Sequence, residues 1–269
     1  MQISKCCFPL LGVWLLAAAC GKVPTPEPNR PFSSFTGDFE SGATSGFHFL
    51  VVDSTFNTVV VNQPVRKGSY ALRNTLRTTD FVFNGYRSEL ALYHCATYHT
   101  EVYYAFSFMI DAAYSDTSYN LLCQWQDLPN YIQGENWAPS PYLNASPPPL
   151  ALVYANGKLE LKMNTDPGLN AQPFLVGNPQ PVVKGQWHDV VARMYWSDDE
   201  TAYTEVWLNG AQITPFNGTD YRFYRRNLYT RGGNYFKFGQ YRGRKAPQAN
   251  CVVYFDEVKT GKSYQEVAP

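Results

Sequence analysis

Short runs of alternating apolar and polar residues fill the chain from Phe35 onward. These runs are rich in β-branched and aromatic residues, and clusters of turn residues separate them, a pattern that is typical of strands. Asn156-Gly157, between "LALVYA" and "KLELKM", suits a type I′ turn and predicts a hairpin. The pattern shows neither a long amphipathic helix nor an internal repeat. It predicts an all-β domain over residues 35–269, folded as a β-jelly-roll (concanavalin-like) sandwich of two antiparallel sheets.

The run "NYFKFGQYRG" carries different chemistry on its two faces. Because the side chains of a strand alternate between faces, Tyr235, Lys237 and Tyr241 share one face. Phe236 and Phe238 share the other. The phenylalanine face suits a core, and the tyrosine and lysine face suits a sheet surface whose polar tips meet a ligand.

Two other runs have the same arrangement. "YRSELAL" places Arg87 and Glu89 opposite two leucines, and "LLCQWQD" places Gln124 and Gln126 opposite a cysteine and a tryptophan. Ordinary amphipathic strands with solvated outer faces are the alternative interpretation. The grouping of Arg, Glu, Gln, Lys and Tyr, rather than Ser and Thr, favours a binding surface.

Composition limits the classes of function that the chain can have. The chain has 269 residues, which fits one large all-β domain or two small ones. Its formal net charge is zero, which argues against a nucleic-acid partner, since nucleic-acid binders usually have a basic excess. The 20 tyrosines and 17 phenylalanines suit strands and also a surface that stacks on sugar rings.

The first residues predict export. Residues 1–19 have one cation, an apolar stretch and then small residues, which is the pattern of a secretory signal peptide. "LAAAC" resembles a bacterial lipobox, whose cysteine, here Cys20, receives the lipid. A proline-rich tether follows over residues 20–34. We therefore expect an exported, membrane-anchored lipoprotein, periplasmic or at the cell surface, that touches a membrane only through its lipid; the alternative is an ordinary signal peptide cut near Ala19.

Three cysteines remain after Cys20. They are Cys95, Cys123 and Cys251, so at most one disulfide forms among them. Cysteine and histidine pairs with zinc-site spacing do not occur in the sequence, and a zinc site is therefore not expected.

Three segments resemble the signature strands of jelly-roll polysaccharide lyases, a group that includes alginate lyases, heparin lyase I-like enzymes and glucuronan lyases. The segments are "RSEL", "QWQ" and "YFKFGQY", in the family's order. Supporting segments are "FESG", "PVRKGSYALR", "GQWHDVVARMYWS", "VWLNG" and "VYFDEVKTG". The resemblance covers nearly the whole mature domain.

The resemblance implies a lyase that cleaves a uronic-acid polysaccharide by β-elimination, with an anionic polysaccharide as its partner and no required cofactor. It matches Tyr241 to the catalytic tyrosine, which acts as acid and also as base. Arg87 would hold the uronate carboxylate as a bidentate fork, Gln124 would donate an amide hydrogen bond to it, and Lys237 would add positive charge. Glu89 would orient Arg87. The expected substrate-binding residues are Glu89, Gln126, Tyr235, Arg73 and His94.

One position departs from the family pattern. The family's Q-x-H histidine, often the base, is Gln126 here, and a glutamine cannot take a proton. Three interpretations stay open. Tyr241 serves as both base and acid, or His94 or His99 enters the site, or catalysis is lost and the domain is a non-catalytic glycan-binding lipoprotein.

Other charged groups are weaker candidates. Asp38, Glu40 and Asp256 lie near the two ends of the domain and are either ligands of a structural calcium or ordinary surface carboxylates. His188 is expected to be structural. The run from Asp198 to Glu200 predicts a solvated turn. Hydrolysis is disfavoured because no strand carries acidic residues at alternate positions.

Two further segments have open roles. Arg222, Arg225 and Arg226 either grip an anionic polymer or belong to a solvated turn. The proline-rich stretch from Asp127 to Pro149 is predicted to form a long loop at the rim of a groove.

Overall fold

The computed structural model describes residues 32–47, 49–52, 54–96, 98–128, 147–164, 173–216, 220–229 and 233–269, and at 49–51, 55 and 93–96 it describes only the backbone. The predicted signal peptide, Cys20 and most of the tether therefore lie outside the described residues, as do positions 129–146 of the predicted rim loop. In the described ranges, no helix is long and apolar enough to cross a membrane.

The described residues form 18 strands and little helix, which confirms the all-β prediction. One short helix, α1 (Tyr264–Val267), and one 3₁₀ turn (Thr55–Asn57) accompany the strands. The strands are β1 (Phe35–Gly37), β2 (Phe49–Val51), β3 (Thr58–Val61), β4 (Ala71–Leu76), β5 (Phe81–Val82), β6 (Gly85–Ala96), β7 (Glu101–Ile110), β8 (Asn120–Asp127), β9 (Leu150–Ala155), β10 (Lys158–Met163), β11 (Phe174–Leu175), β12 (Gln180–Pro181), β13 (Trp187–Tyr195), β14 (Tyr203–Leu208), β15 (Ala211–Gln212), β16 (Phe223–Tyr224), β17 (Asn234–Tyr241) and β18 (Cys251–Gly261).

The strands form two antiparallel sheets, as a jelly-roll sandwich requires. Sheet A has the order β15-β14-β13-β7-β18-β4-β3, with β1 on β18 and β16 on β14. Sheet B has the order β11-β10-β9-β8-β17-β6-β2, with β12 on β10 and β5 on β6. Asn156 and Gly157 join β9 to β10 with φ of 50° and 75°, which confirms the predicted type I′ hairpin.

The core between the sheets is largely aromatic. Phe236 and Phe238 of β17 are buried there, as the alternation predicted. Phe236 lies 5.3 Å from the ring of Trp125 on β8, and Phe238 lies 5.3 Å from the ring of Phe255 on β18. The phenylalanine face of β17 therefore faces sheet A, which leaves its tyrosine and lysine face on the outer side of sheet B, where Tyr235 and Lys237 are also buried.

The end of β17 that carries Tyr241 is anchored on both sides by buried polar groups. Gln240 donates hydrogen bonds to Asn74 Oδ1 (3.0 Å) and accepts one from Asn120 (2.9 Å). Arg242 forms a fully buried ion pair with Asp116, with a shortest distance of 2.6 Å. These contacts restrict the backbone on each side of Tyr241, because breaking them would leave buried polar groups without partners.

The two ends of the domain meet on sheet A. β1 pairs with β18, and Ser34 donates a hydrogen bond to Glu266 of α1. Val267 of α1 packs against Ala105 and Val191 on the outer face of this sheet.

Candidate active site

The three polar faces predicted from sequence lie side by side on the outer face of sheet B, away from sheet A. β17 is hydrogen-bonded to β8 on one side and to β6 on the other. In this register Tyr241 is opposite Arg87, and Lys237 is opposite Gln124. Glu89 is opposite Gly239. The pairing brings residues that are far apart in the sequence into one cluster, which we call the polar cluster (Arg87, Glu89, Gln124, Lys237 and Tyr241).

Glu89 lies at the centre of the polar cluster. Its carboxylate is 3.5 Å from Arg87 Nη1 and 3.8 Å from Lys237 Nζ, and it accepts a hydrogen bond from Gln124 Nε2. Only 2% of Glu89 is exposed, so these ion pairs are weakly screened by solvent. Two cations against one carboxylate leave one net positive charge, which suits an anionic ligand.

Arg87 and Tyr241 form a stacked pair. The guanidinium carbon of Arg87 lies 4.0 Å from the centroid of the Tyr241 ring. The ring packs against an apolar floor formed by Leu121, Ala151 and Val153. Burial raises the pKa of Tyr241, and Arg87 partly offsets this rise. The hydroxyl group therefore carries its proton at neutral pH.

Lys237 is a buried amine on the same face. It is 5% exposed, and burial lowers its pKa to about 8, against the opposing effect of Glu89. Its Nζ lies 5.4 Å from the centroid of the Tyr235 ring. Tyr235 is opposite Gln126 in the β17–β8 register, so these two predicted residues extend the polar face beyond Lys237.

The family model named polysaccharide lyase matches residues 39–259. The chain belongs to the polysaccharide lyase family. This confirms the resemblance inferred from the three motifs. A comparison with the sequences of curated proteins gives no match.

Solved structures share the fold of this lyase. An endo-β-1,4-glucuronan lyase from the fungus Trichoderma reesei has 21% identity and a TM-score of 0.69, covering 87% of this chain and 98% of its own. Alginate lyase A1-II′, of polysaccharide lyase family 7, has 15% identity and a TM-score of 0.53, covering 78% and 85%. A variant of alginate lyase Aly36B in complex with an alginate trisaccharide has 12% identity and a TM-score of 0.59, covering 86% and 98%. At such identities the likeness shows the fold alone.

One predicted substrate-binding residue of the lyase lies elsewhere. Arg73 is exposed on β4, in sheet A, opposite Tyr254 of β18. The prediction that it contacts substrate is therefore wrong, because the sandwich core separates its strand from the polar cluster.

The histidines also lie away from the polar cluster where their side chains are described. His99 stacks on Tyr98 at 3.7 Å and faces Tyr195 of sheet A. His188 is buried and bonds Val183 and Asn209, as expected of a structural histidine. The backbone of His94 lies in β6, and its side chain is outside the described residues.

Two of the three carboxylates considered as calcium ligands, Glu40 and Asp256, bind the backbone of one loop. Glu40 accepts hydrogen bonds from the backbone N–H groups of Ser69 and Tyr70. Asp256 accepts them from Arg66 and Lys67. The two carboxylates hold one loop, residues 66–70, and across the described ranges no group of three acidic, histidine or cysteine side chains is placed to bind a metal.

The arginine-rich segment supports sheet A. Arg222 pairs with Glu205, Arg225 pairs with Glu200, and Arg226 donates to the carbonyl of Leu228. These contacts favour the interpretation of a structural turn over a grip on the polymer. The predicted turn at Asp198 to Glu200 is also present, and Asp199 accepts a hydrogen bond from the backbone N–H of Thr201.

Two of the three cysteines have free thiol groups. Cys123 and Cys251 are both free and buried. The side chain of Cys95 is outside the described residues.

Sequence reasoning missed two residues beside Tyr241. Arg244 follows it across a turn, and its charge opposes the rise in the pKa of Tyr241 that burial causes. Tyr119 precedes β8, and its pKa is raised by burial and then by the neighbouring Tyr241 and Glu89. The basic run "RGRK" was the one signal in the sequence for Arg244.

Proposed function

We propose that the lyase cleaves a uronic-acid-containing polysaccharide by β-elimination. The observation that carries the proposal is the stacked Arg87–Tyr241 pair, because it sets a proton donor next to a cation that shares the Glu89 carboxylate with the buried Lys237. A uronate carboxylate would need this positive charge when the proton at C5 leaves and negative charge builds up on the carboxylate. The names of the structural neighbours, glucuronan lyase and alginate lyase, support a uronate polymer as the substrate class.

The proposed reaction breaks two bonds and forms one double bond. A base takes the C5 proton, the C5–H electrons form the C4=C5 double bond, and the C4–O bond to the next sugar breaks. The leaving oxygen takes a proton from Tyr241. Arg87 and Lys237 neutralise the carboxylate, while Glu89 holds both cations in place. Gln124 donates one amide hydrogen to Glu89. Its second amide hydrogen would bond the substrate carboxylate.

Tyr241 can serve as the base only after it has lost its own proton. Burial raises the pKa of Tyr241, and the charges of Arg87 and Arg244 oppose that rise and favour this ionisation. Of the two histidines considered as the base, His99 faces Tyr195 of sheet A, and the side chain of His94 is outside the described residues. We propose that one tyrosine performs both proton transfers on one face of the sugar.

The test is a panel of glucuronan, alginate and heparin-type chains, with ultraviolet absorbance to detect the unsaturated product. A carboxyl-reduced copy of the best polymer is the matched control, because it keeps the linkage and lacks the uronate. Absorbance with the native polymer alone supports the proposal. New reducing ends without absorbance would mean hydrolysis, and retardation in an affinity gel without any product would mean a glycan-binding module.

We expect kcat/KM to rise with pH as Tyr241 ionises and to level off above about 8, because the buried Lys237 then loses the charge that faces the carboxylate. In the Lys237→Arg variant kcat/KM should continue to rise above pH 8, since a guanidinium stays protonated. A pH profile of kcat/KM measures both. A wild-type profile that rises through pH 8 as steeply as that of Lys237→Arg would show that the charge on Lys237 is not needed.

We also propose that the lyase is exported and anchored through a lipid on Cys20, from the "LAAAC" motif. The Cys20→Ala variant should move from the membrane fraction to the soluble exported fraction. Equal partition of the two proteins between fractions would contradict the anchor.

A further inference from the structure

A strained turn forms one wall of the site. β5 and β6 form a hairpin in which Phe81 pairs with Tyr86 and Val82 with Gly85. The two central residues, Phe83 and Asn84, have φ of 46° and 64°. Both lie in the left-handed region, which a type I′ turn requires and which asparagine and glycine tolerate best. A phenylalanine in this conformation is an outlier, and such outliers concentrate at binding sites.

Each residue of this turn contacts a residue of the site. The carbonyl of Phe83 accepts a hydrogen bond of 3.4 Å from Arg87 Nη2. Asn84 Oδ1 accepts one of 2.9 Å from Arg244. A Cβ atom at Gly85 would lie 2.7 Å from the Tyr241 ring, so glycine is what lets the turn approach the tyrosine. The position of the turn is therefore tied to the Arg87–Tyr241 pair.

The ring of Phe83 is 70% exposed. A large exposed apolar ring on the wall of a polar site has no role in the core, and its backbone conformation is unfavourable for this residue type. Aromatic faces pack well against the apolar C–H faces of sugar rings. Arg244, held by the neighbouring Asn84, offers a cation for a carboxylate.

We propose that Phe83 and Arg244 form a subsite for a second uronate residue, next to the one whose bond is broken. The sugar ring lies against Phe83, and its carboxylate pairs with Arg244. This subsite rests on the proposed function, because it assumes a uronate polymer in the same groove. The Phe83 ring binds substrate without taking part in the proton transfers, so its removal acts on KM and leaves kcat unchanged.

The test variant is Phe83→Asn, because asparagine favours the left-handed conformation and keeps the turn while removing the ring. Phe83→Tyr keeps the ring. Phe216→Asn is the matched control, since Phe216 is also exposed (59%) and is bonded to Val176, next to β11 at the far edge of sheet B. We expect Phe83→Asn to raise KM by about three- to tenfold with kcat unchanged, the range given by one aromatic contact. Phe216→Asn should match the wild type, and Phe83→Tyr, which keeps the aromatic face, should have a lower KM than Phe83→Asn.

The melting temperature of Phe83→Asn should equal or exceed that of the wild type, which separates lost binding from lost folding. An unchanged KM in an active enzyme would overturn the subsite and leave the proposed function intact. If the wild type cleaves no uronate polymer, the proposed function fails, and affinity electrophoresis on the same polymers decides the subsite. Weaker retardation of Phe83→Asn than of Phe216→Asn would support it; equal retardation, or none with any polymer, would overturn it.

Discussion

The Tyr241→Phe variant is expected to lose nearly all activity, with kcat lower by about 10²–10⁴-fold, the usual contribution of a positioned acid or base. Phenylalanine keeps the ring that stacks under Arg87 and packs on the apolar floor. It removes only the hydroxyl group that gives its proton to the leaving oxygen. Because the binding contacts remain, KM should change little. Steady-state kinetics by ultraviolet absorbance measures both constants.

Tyr119→Phe is the matched control for this loss. Tyr119 is a second tyrosine close to Tyr241 and Glu89, and it stands outside the proposed proton transfers. Its variant should keep kcat within about a factor of ten of the wild type. If Tyr119→Phe is the inactive protein and Tyr241→Phe the active one, the assignment of the proton donor is wrong.

Gly239→Ala should destabilise the lyase by about 3–5 kcal/mol, the range for severe backbone strain and clash. The φ of Gly239 is 134°, a conformation that side chains rarely adopt. A Cβ atom there would lie 2.2 Å from the carbonyl oxygen of Ser88 and 2.9 Å from the Cα of Glu89. Both atoms belong to the backbone of β6, so relief requires β17 and β6 to separate.

Denaturant unfolding of Gly239→Ala beside Gly157→Ala isolates this effect. Gly157 also has positive φ (75°), but a Cβ atom added to it meets nothing within 4 Å. Its variant should lose only about 1–2 kcal/mol, the cost of the left-handed conformation alone. Equal losses for the two variants would mean that the contact between β17 and β6 is looser than the structure shows.

The face on which each strand side chain lies could be predicted, because the alternation of side chains depends only on the local sequence. Phe236 and Phe238 are in the core and Lys237 is on the opposite face, as the pattern required, but Lys237 is buried there. The motifs then indicated which of these strands belong together. Alternation shows on which face of a strand a residue lies, but not in which sheet the strand lies, which is why Arg73 was wrongly placed with the substrate.

Features that depend on three-dimensional contacts were not predictable. Glu40 and Asp256 satisfy backbone N–H groups of a loop that lies far from both in sequence, and acidity alone suggested a metal. The roles of Phe83 and Arg244 depend on a turn with two positive φ angles, and its first central residue is one that turn rules disfavour. The sequence holds no pattern for either arrangement.

The meeting of both ends of the domain on sheet A has a practical consequence. Strand β1 and helix α1 lie against strands of sheet A, whereas Tyr241 and Arg87 lie on the outer face of sheet B. A resin, a fluorophore or a fused protein joined directly before β1 or after α1 would be attached to the sheet that lacks the polar cluster. The immobilised lyase would then present the outer face of sheet B to a dissolved polymer, and a column of it could be regenerated by washing without blocking the site.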